Sequence, residues 1–280
     1  MKNFAVFSLV FTTVLALSAP VHATGFEAIA PHRAVYEITL KEASKRSGIK
    51  NMKGRMVYEV RGNECDGISL QYRFLTHITT GKDQFVSDQQ TSTFESADGK
   101  SFNFLTKSFL NEQLEETVKG IARQASNGGI NVVLDSPSSQ EFDFSKASFM
   151  TSYLVKMLDL AKKGEHHLRG DLFDGSDGGD ETISTSSFIS NLKSIADSKH
   201  QHSPDIIANL KPLQAWSISM SYFKKNIGAT AEHLPVFESS FLLYENGVSS
   251  DLIMRYPDYS LIGKLSKLEM FENTPCRSDG

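Results

Sequence analysis

Trp216-Ser217-Ile218-Ser219-Met220-Ser221-Tyr222 sets an apolar side chain at every second position with serine between, the period of a strand that buries one face and wets the other. The same alternation returns along most of the chain. Ala34, Tyr36, Ile38 and Leu40 share one face; Met52, Met56, Tyr58 and Val60 share another, opposite Lys53, Arg55, Glu59 and Arg61. Ile68, Leu70, Tyr72, Phe74 and Ile78 alternate with Ser69, Gln71, Arg73 and the solvent-facing His77. Phe102 with Phe104, and Leu252 with Met254 and Tyr256, extend the series. Asp66-Gly67, Asp98-Gly99 and Asn246-Gly247 carry the hairpin-turn signal. Short strands joined by such turns predict an antiparallel meander, not alternating strand and helix.

One segment has a different period. Phe149, Met150, Tyr153, Leu154, Met157 and Leu158 recur at helical spacing, with Asp143 or Ser145 as candidate N-caps and Gly164 as the stop. This predicts one amphipathic helix of about four turns that plugs or caps a curved sheet. The polar stretch 191–212, which holds Pro204 and Pro212, reads as an excursion or short helix between strands. No boundary and no fixed-period repeat divides the chain, so residues 24–280 are expected to be a single β-rich domain. A sheet of more than about ten strands seldom stays flat and open. The expected fold is therefore mainly β: a many-stranded antiparallel sheet wound into a closed or spiral barrel-like structure, with that one helix.

The chain begins with a short basic start, an apolar run over 4–17 and the small-x-small pattern Val21-His22-Ala23. Residues 1–23 are expected to be a secretory signal peptide cleaved after Ala23, which delivers the rest to an oxidising compartment. No later stretch is apolar for long enough to span a bilayer as a helix. Without Lys2 the balance is 28 basic against 33 acidic residues. Nucleic acid needs a concentrated basic surface, and none is visible. Two cysteines are present, Cys65 at the Asp-Gly turn and Cys276 in the tail. With no Cys-x-x-Cys, they are expected to form a structural disulfide instead of a redox or nucleophilic thiol pair. Closing a loop of about 210 residues is worth up to about 5 kcal/mol in the chain-entropy description.

Candidate chemistry is sparse. Asp171-Leu172-Phe173-Asp174-Gly175-Ser176-Asp177-Gly178-Gly179-Asp180 gathers carboxylates and glycines, but its acids are three apart, not at the alternate positions of a calcium loop. Ser176 misses Gly-x-Ser-x-Gly by one position. The stretch reads as a turn. His166-His167 and His200-x-His202 lack the convergent ligands that zinc requires, and neighbours on a strand point to opposite faces. An envelope hydrolase using Asp174, Ser176, His166 or His167 is motivated only by their local density. No catalytic residue, cofactor or metal ligand is nominated.

Ala30-Pro31-His32-Arg33-Ala34-Val35-Tyr36, Gly54-Arg55-Met56-Val57-Tyr58-Glu59 and Cys65-Asp66-Gly67 resemble landmarks of the EipB family of cell-envelope integrity proteins. Phe173-Asp174-Gly175-Ser176-Asp177-Gly178-Gly179, Glu245-Asn246-Gly247-Val248 and the terminal cysteine continue the likeness across the mature chain. The resemblance implies a periplasmic, non-enzymatic β-spiral with a disulfide at the positions of Cys65 and Cys276. It also implies a part in maintaining the Gram-negative envelope under stress. The expected partner is an envelope protein or a lipid or lipoprotein component, and a lipid or lipoprotein carrier or sensor is the alternative.

Overall fold

The alternating runs become strands and the Gly-containing turns become hairpins. The computed structural model describes residues 25–225 and 234–276; the expected signal peptide and its cleavage point lie outside them. The first arm of the chain comprises β1 (His32–Ala43), β2 (Ile49–Asn63), β3 (Gly67–Thr80), β4 (Asp83–Glu95), β5 (Ser101–Leu110), β6 (Gln113–Gln124), β7 (Ile130–Ser136) and β8 (Gln140–Phe144). Helix α1 (Met150–Lys162) follows. The second arm comprises β9 (His167–Leu172), β10 (Ile183–Lys193), helix α2 (Pro204–Leu210), β11 (Ala215–Lys224), β12 (Phe237–Tyr244), β13 (Ser249–Arg255) and β14 (Tyr259–Met270).

Among the described residues all fourteen strands make one antiparallel sheet, in the order β8-β7-β6-β5-β4-β3-β2-β1-β14-β13-β12-β11-β10-β9. Every strand pairs with its neighbour in sequence except β8 and β9. The first strand pairs with the last, and α1 carries the chain from one outer strand to the other. Register shifts at Val35/Tyr36, Ser108/Phe109, Lys119/Gly120 and Ser240/Leu242 bend the ribbon.

Of the two expected forms, closed or spiral, the sheet takes the spiral: β8 and β9 are its outer strands and are not paired with each other. The hydrogen bonds that could have closed it are used by the segment entering α1. Ser148 N–H donates to the Asp171 carbonyl at 2.8 Å, and Phe173 N–H donates to the Ser148 carbonyl at 3.0 Å. The outer edges meet through side chains, with the Phe144 and Phe173 rings 6.1 Å apart between centroids.

Winding is visible in the core. One cluster joins Val60, Ile68 and Leu70 of the first arm to Ile189, Trp216, Ile218 and Leu243 of the second, with Tyr153, Met157 and Leu158 of α1 between them. A second gathers Ala34, Tyr36 and Ile38 with Leu261 and Leu265. The stretch 191–212 supplies α2, the short helix that was one of the two forms expected there, to that second cluster through Ile206 and Leu210, so the described residues hold a second α-helix beside the amphipathic α1. Two turns with an apolar residue at each end are too short to show helical periodicity by themselves.

Candidate functional site

Helix α1 buries Tyr153, Met157, Leu158 and Ala161, the stripe its spacing anticipates, and ends at Gly164 in the left-handed conformation, φ 74°. Its beginning differs from expectation. Asp143 lies within β8, and neither it nor Ser145 caps the helix; the N-cap position is Phe149, which has no side-chain oxygen. The cap comes from the far end of β4. The Glu95 carboxylate accepts from Thr151 N–H at 2.9 Å and Ser152 N–H at 3.2 Å, and the Ser152 hydroxyl donates to it as well. Burial pushes the Glu95 carboxyl above its usual range, opposed by these hydrogen bonds.

Between α1 and the wound sheet lies a cavity of about 260 Å³. The first arm contributes Tyr58, Leu70 and Tyr72, the second Met220, Tyr222 and Ser239, and α1 closes one side with Tyr153 and Met157. Among the described residues no lysine, arginine, aspartate or glutamate lines it. His32 on its wall holds the Ala30 carbonyl at 2.7 Å, and burial depresses its pKa, so the ring is neutral. Tyr36 donates to the Ser249 carbonyl at 2.8 Å, and Tyr153 bonds Thr185 and Ser187. Burial pushes the Tyr58 phenol up to about 12 and raises Tyr72 and Tyr222 in the same direction.

The polar residues that drew attention in the sequence do not converge. Asp174 accepts from Ser176 N–H at 2.9 Å, which is an Asx-type turn. Gly175 there has φ +71°, and a Cβ on it would come within 2.5 Å of the Phe104 ring; one on Gly179 would meet Leu134 at 2.8 Å. The glycines let this loop press against the opposite arm, so that its Phe173 joins Phe104 and Leu134 of that arm in a core cluster. His166 sits before the other end of β9, its Nδ1 2.9 Å from the Ile189 carbonyl, and His167 flanks the Phe188 ring. A hydrolase built from these four would have its parts at opposite ends of one strand.

His202 of the His-x-His pair does meet a serine and an aspartate, Ser198 and Asp251, which the sequence did not bring together because 53 positions separate those two. Ser198 donates to Asp251 at 2.9 Å and lies 2.8 Å from His202 Nε2. A hydroxyl has one proton, so with Asp251 taking it, His202 must donate through Nε2 and has no lone pair there with which to activate Ser198. Asp251 stands at φ 55° beside the β12·β13 register shift. The arrangement anchors the 191–212 excursion to β13.

Cys65 and Cys276 lie with Cα atoms 5.6 Å apart and sulfurs at disulfide distance, 211 positions apart in sequence. The tail is seated there by further contacts: Phe271 N–H donates to the Pro31 carbonyl, Arg61 stacks 3.8 Å over the Phe271 ring, and Asn63 donates to the Thr274 carbonyl. Glu64 joins the two sulfurs in the one converging group of potential metal donors among the described residues. Sulfurs bonded to each other lack the thiolate charge a metal needs.

With a wound sheet, a seated tail and an apolar chamber in place, comparison with known families is decisive: the EipB-like family model matches residues 23–272. The chain belongs to the EipB-like family. A relative in Brucella abortus (strain 2308), named cell envelope integrity protein EipB, is 33% identical over 245 residues, 87% of this chain and 85% of its own length. A crystal structure of a beta-barrel-like protein, a domain of unknown function from Brucella abortus, superposes with a TM-score of 0.80 at 32% identity, covering 87% of this chain and 99% of that one. The EipB-like spiral is thus shared, and these relatives are not named as enzymes. Among the described residues no helix is long and apolar enough to cross a membrane.

Proposed function

We propose that this chain is a non-enzymatic binding module of the periplasm that sustains cell-envelope integrity by seating an apolar group of an envelope component beneath α1. In this reading residues 1–23 are removed on export, residues 24–280 fold as one domain, and Cys65 and Cys276 are oxidised. The name of the Brucella relative supports the envelope role. The uncharged chamber carries the binding role. An engineered apolar cavity of about 150 Å³ holds benzene, and whole-ligand pockets start near about 300 Å³. At about 260 Å³ the cavity suits the end of an acyl chain or one large apolar side chain, not an entire lipid, which favours a binding module over a bulk lipid carrier.

Filling the space tests this. Met220→Trp projects an indole into the cavity, and a variant that keeps a cooperative melt should exclude the neutral probe N-phenyl-1-naphthylamine and fail to restore detergent resistance to a deletion strain. A folded variant that excludes the probe yet restores resistance fully contradicts the proposal; Met56→Phe on the facing wall guards against a single variant that misfolds.

A further inference from the structure

The cavity is apolar but not featureless. Tyr58 and Tyr72 are directly opposed on β2 and β3, which makes them close cross-strand neighbours on the inner face. Both phenols line the cavity, and neither makes a hydrogen bond among the described residues. On the other arm, Ser239 Oγ is buried with no partner at hydrogen-bonding geometry, next to the Tyr222 hydroxyl. Buried polar atoms are normally paired, so hydroxyls without a partner on the wall of this partly open cavity mark where a ligand's polar atoms belong.

The chemistry of that ligand is narrow. Burial keeps the phenols protonated, so each presents one O–H. A carbonyl oxygen has two lone pairs and can accept from both. A carboxylate would accept too, but among the described residues the lining holds no cation to offset its lost hydration. A plain hydrocarbon would leave Tyr58, Tyr72 and Ser239 unpaired. Resting on the cavity being a binding site, we propose that it selects the uncharged carbonyl end of an acyl ester, with Tyr58 and Tyr72 donating to the carbonyl oxygen and Ser239 pairing with the alcohol side.

The mature protein, loaded with N-phenyl-1-naphthylamine, can be titrated with monooctanoylglycerol, octanoate at pH 8 and n-octane. The glycerol ester should displace the probe at about tenfold lower concentration than either competitor, the effect of two modest hydrogen bonds. Tyr58→Phe/Tyr72→Phe should lose that tenfold while its affinity for the probe changes less than about twofold. Ser239→Ala, which removes one atom, should show a smaller loss in the same direction. Equal displacement by all three competitors, or tighter octanoate, overturns the selectivity and leaves the cavity as a binding site. Failure of the wild-type protein to bind the probe or any competitor overturns the binding site itself.

Discussion

Replacing Glu95 with alanine should cost about 3 kcal/mol, although the residue lies 55 positions before the helix it serves. Its side chain is 1% exposed and accepts from two amides at the start of α1 and from the Ser152 hydroxyl. Alanine leaves those donors facing a void. An unpaired buried donor costs about 1–3 kcal/mol, and relief of the carboxylate's own dehydration offsets part of the total. Glu95→Gln retains an acceptor oxygen and should cost within about 1.5 kcal/mol. Trp216, the sole tryptophan, is buried in the cluster that α1 completes, so its fluorescence in urea reports the transition. An alanine variant within about 0.5 kcal/mol of wild type, or a glutamine variant no better than alanine, refutes a carboxylate cap.

The same residue makes stability depend on pH in a definite sense. Because burial is the larger influence, folded Glu95 holds its proton more tightly than the unfolded chain does. Below the ordinary glutamate value of 4.5 both states are protonated and this contribution is fully present. As the pH rises through the raised folded value, the native state must ionise a buried acid and the contribution is lost. Wild type should therefore lose stability relative to Glu95→Gln as pH climbs from the ordinary value; a constant difference between about pH 4 and pH 8 would contradict the assignment.

Changing Cys65 and Cys276 together to serine should lower stability by up to about 5 kcal/mol, since 211 positions separate them, with native contacts of the tail unaltered. Dithiothreitol should shift the wild-type urea midpoint equally, and two freely titrating thiols in protein taken from its own compartment would rule the bond out. Gly175→Ala should cost about 2–3 kcal/mol, from a left-handed backbone and a Cβ pressed against Phe104. An unchanged melting temperature would show that the loop has room to spare.

The strands were legible because burial on one face imposes a period of two, and Tyr36, Met56, Leu70 and Ile218 all fall on the inner face that their alternation implies. The family likeness was legible too, from ordered short motifs. What stayed hidden depends on the third dimension. The capping rules are local, so they pointed to Asp143 and Ser145 and could not reach Glu95 on another strand. The choice of a spiral over a closed ring rests on the backbone at Ser148 taking the bonds of β9, which no side-chain pattern encodes. Tyr58 and Tyr72 read as ordinary strand residues and Ser239 carried no signal; only winding brings the two arms to one space. The cluster at Asp174 and Ser176 attracted chemical readings because glycine and aspartate also serve close packing and turns, and here they do.

The cavity follows from the topology. A meander whose first and last strands pair must still carry the chain between its two outer edges, and here the carrier is a helix crossing the inside of the coil. A helix is a cylinder and the surrounding sheet is a twisted surface, so contact at Tyr153, Met157 and Leu158 cannot fill all the space between them. Large Tyr and Met side chains reach across from both arms and leave the remainder open. Because α1 is held at its start by Glu95 of the first arm, while Ser148 just ahead of it bonds to the second, the dimensions of that space depend on the seam. A substitution that frees either attachment should therefore alter probe binding in the cavity before it unfolds the sheet, since the fourteen-strand ladder does not depend on α1 for its hydrogen bonds.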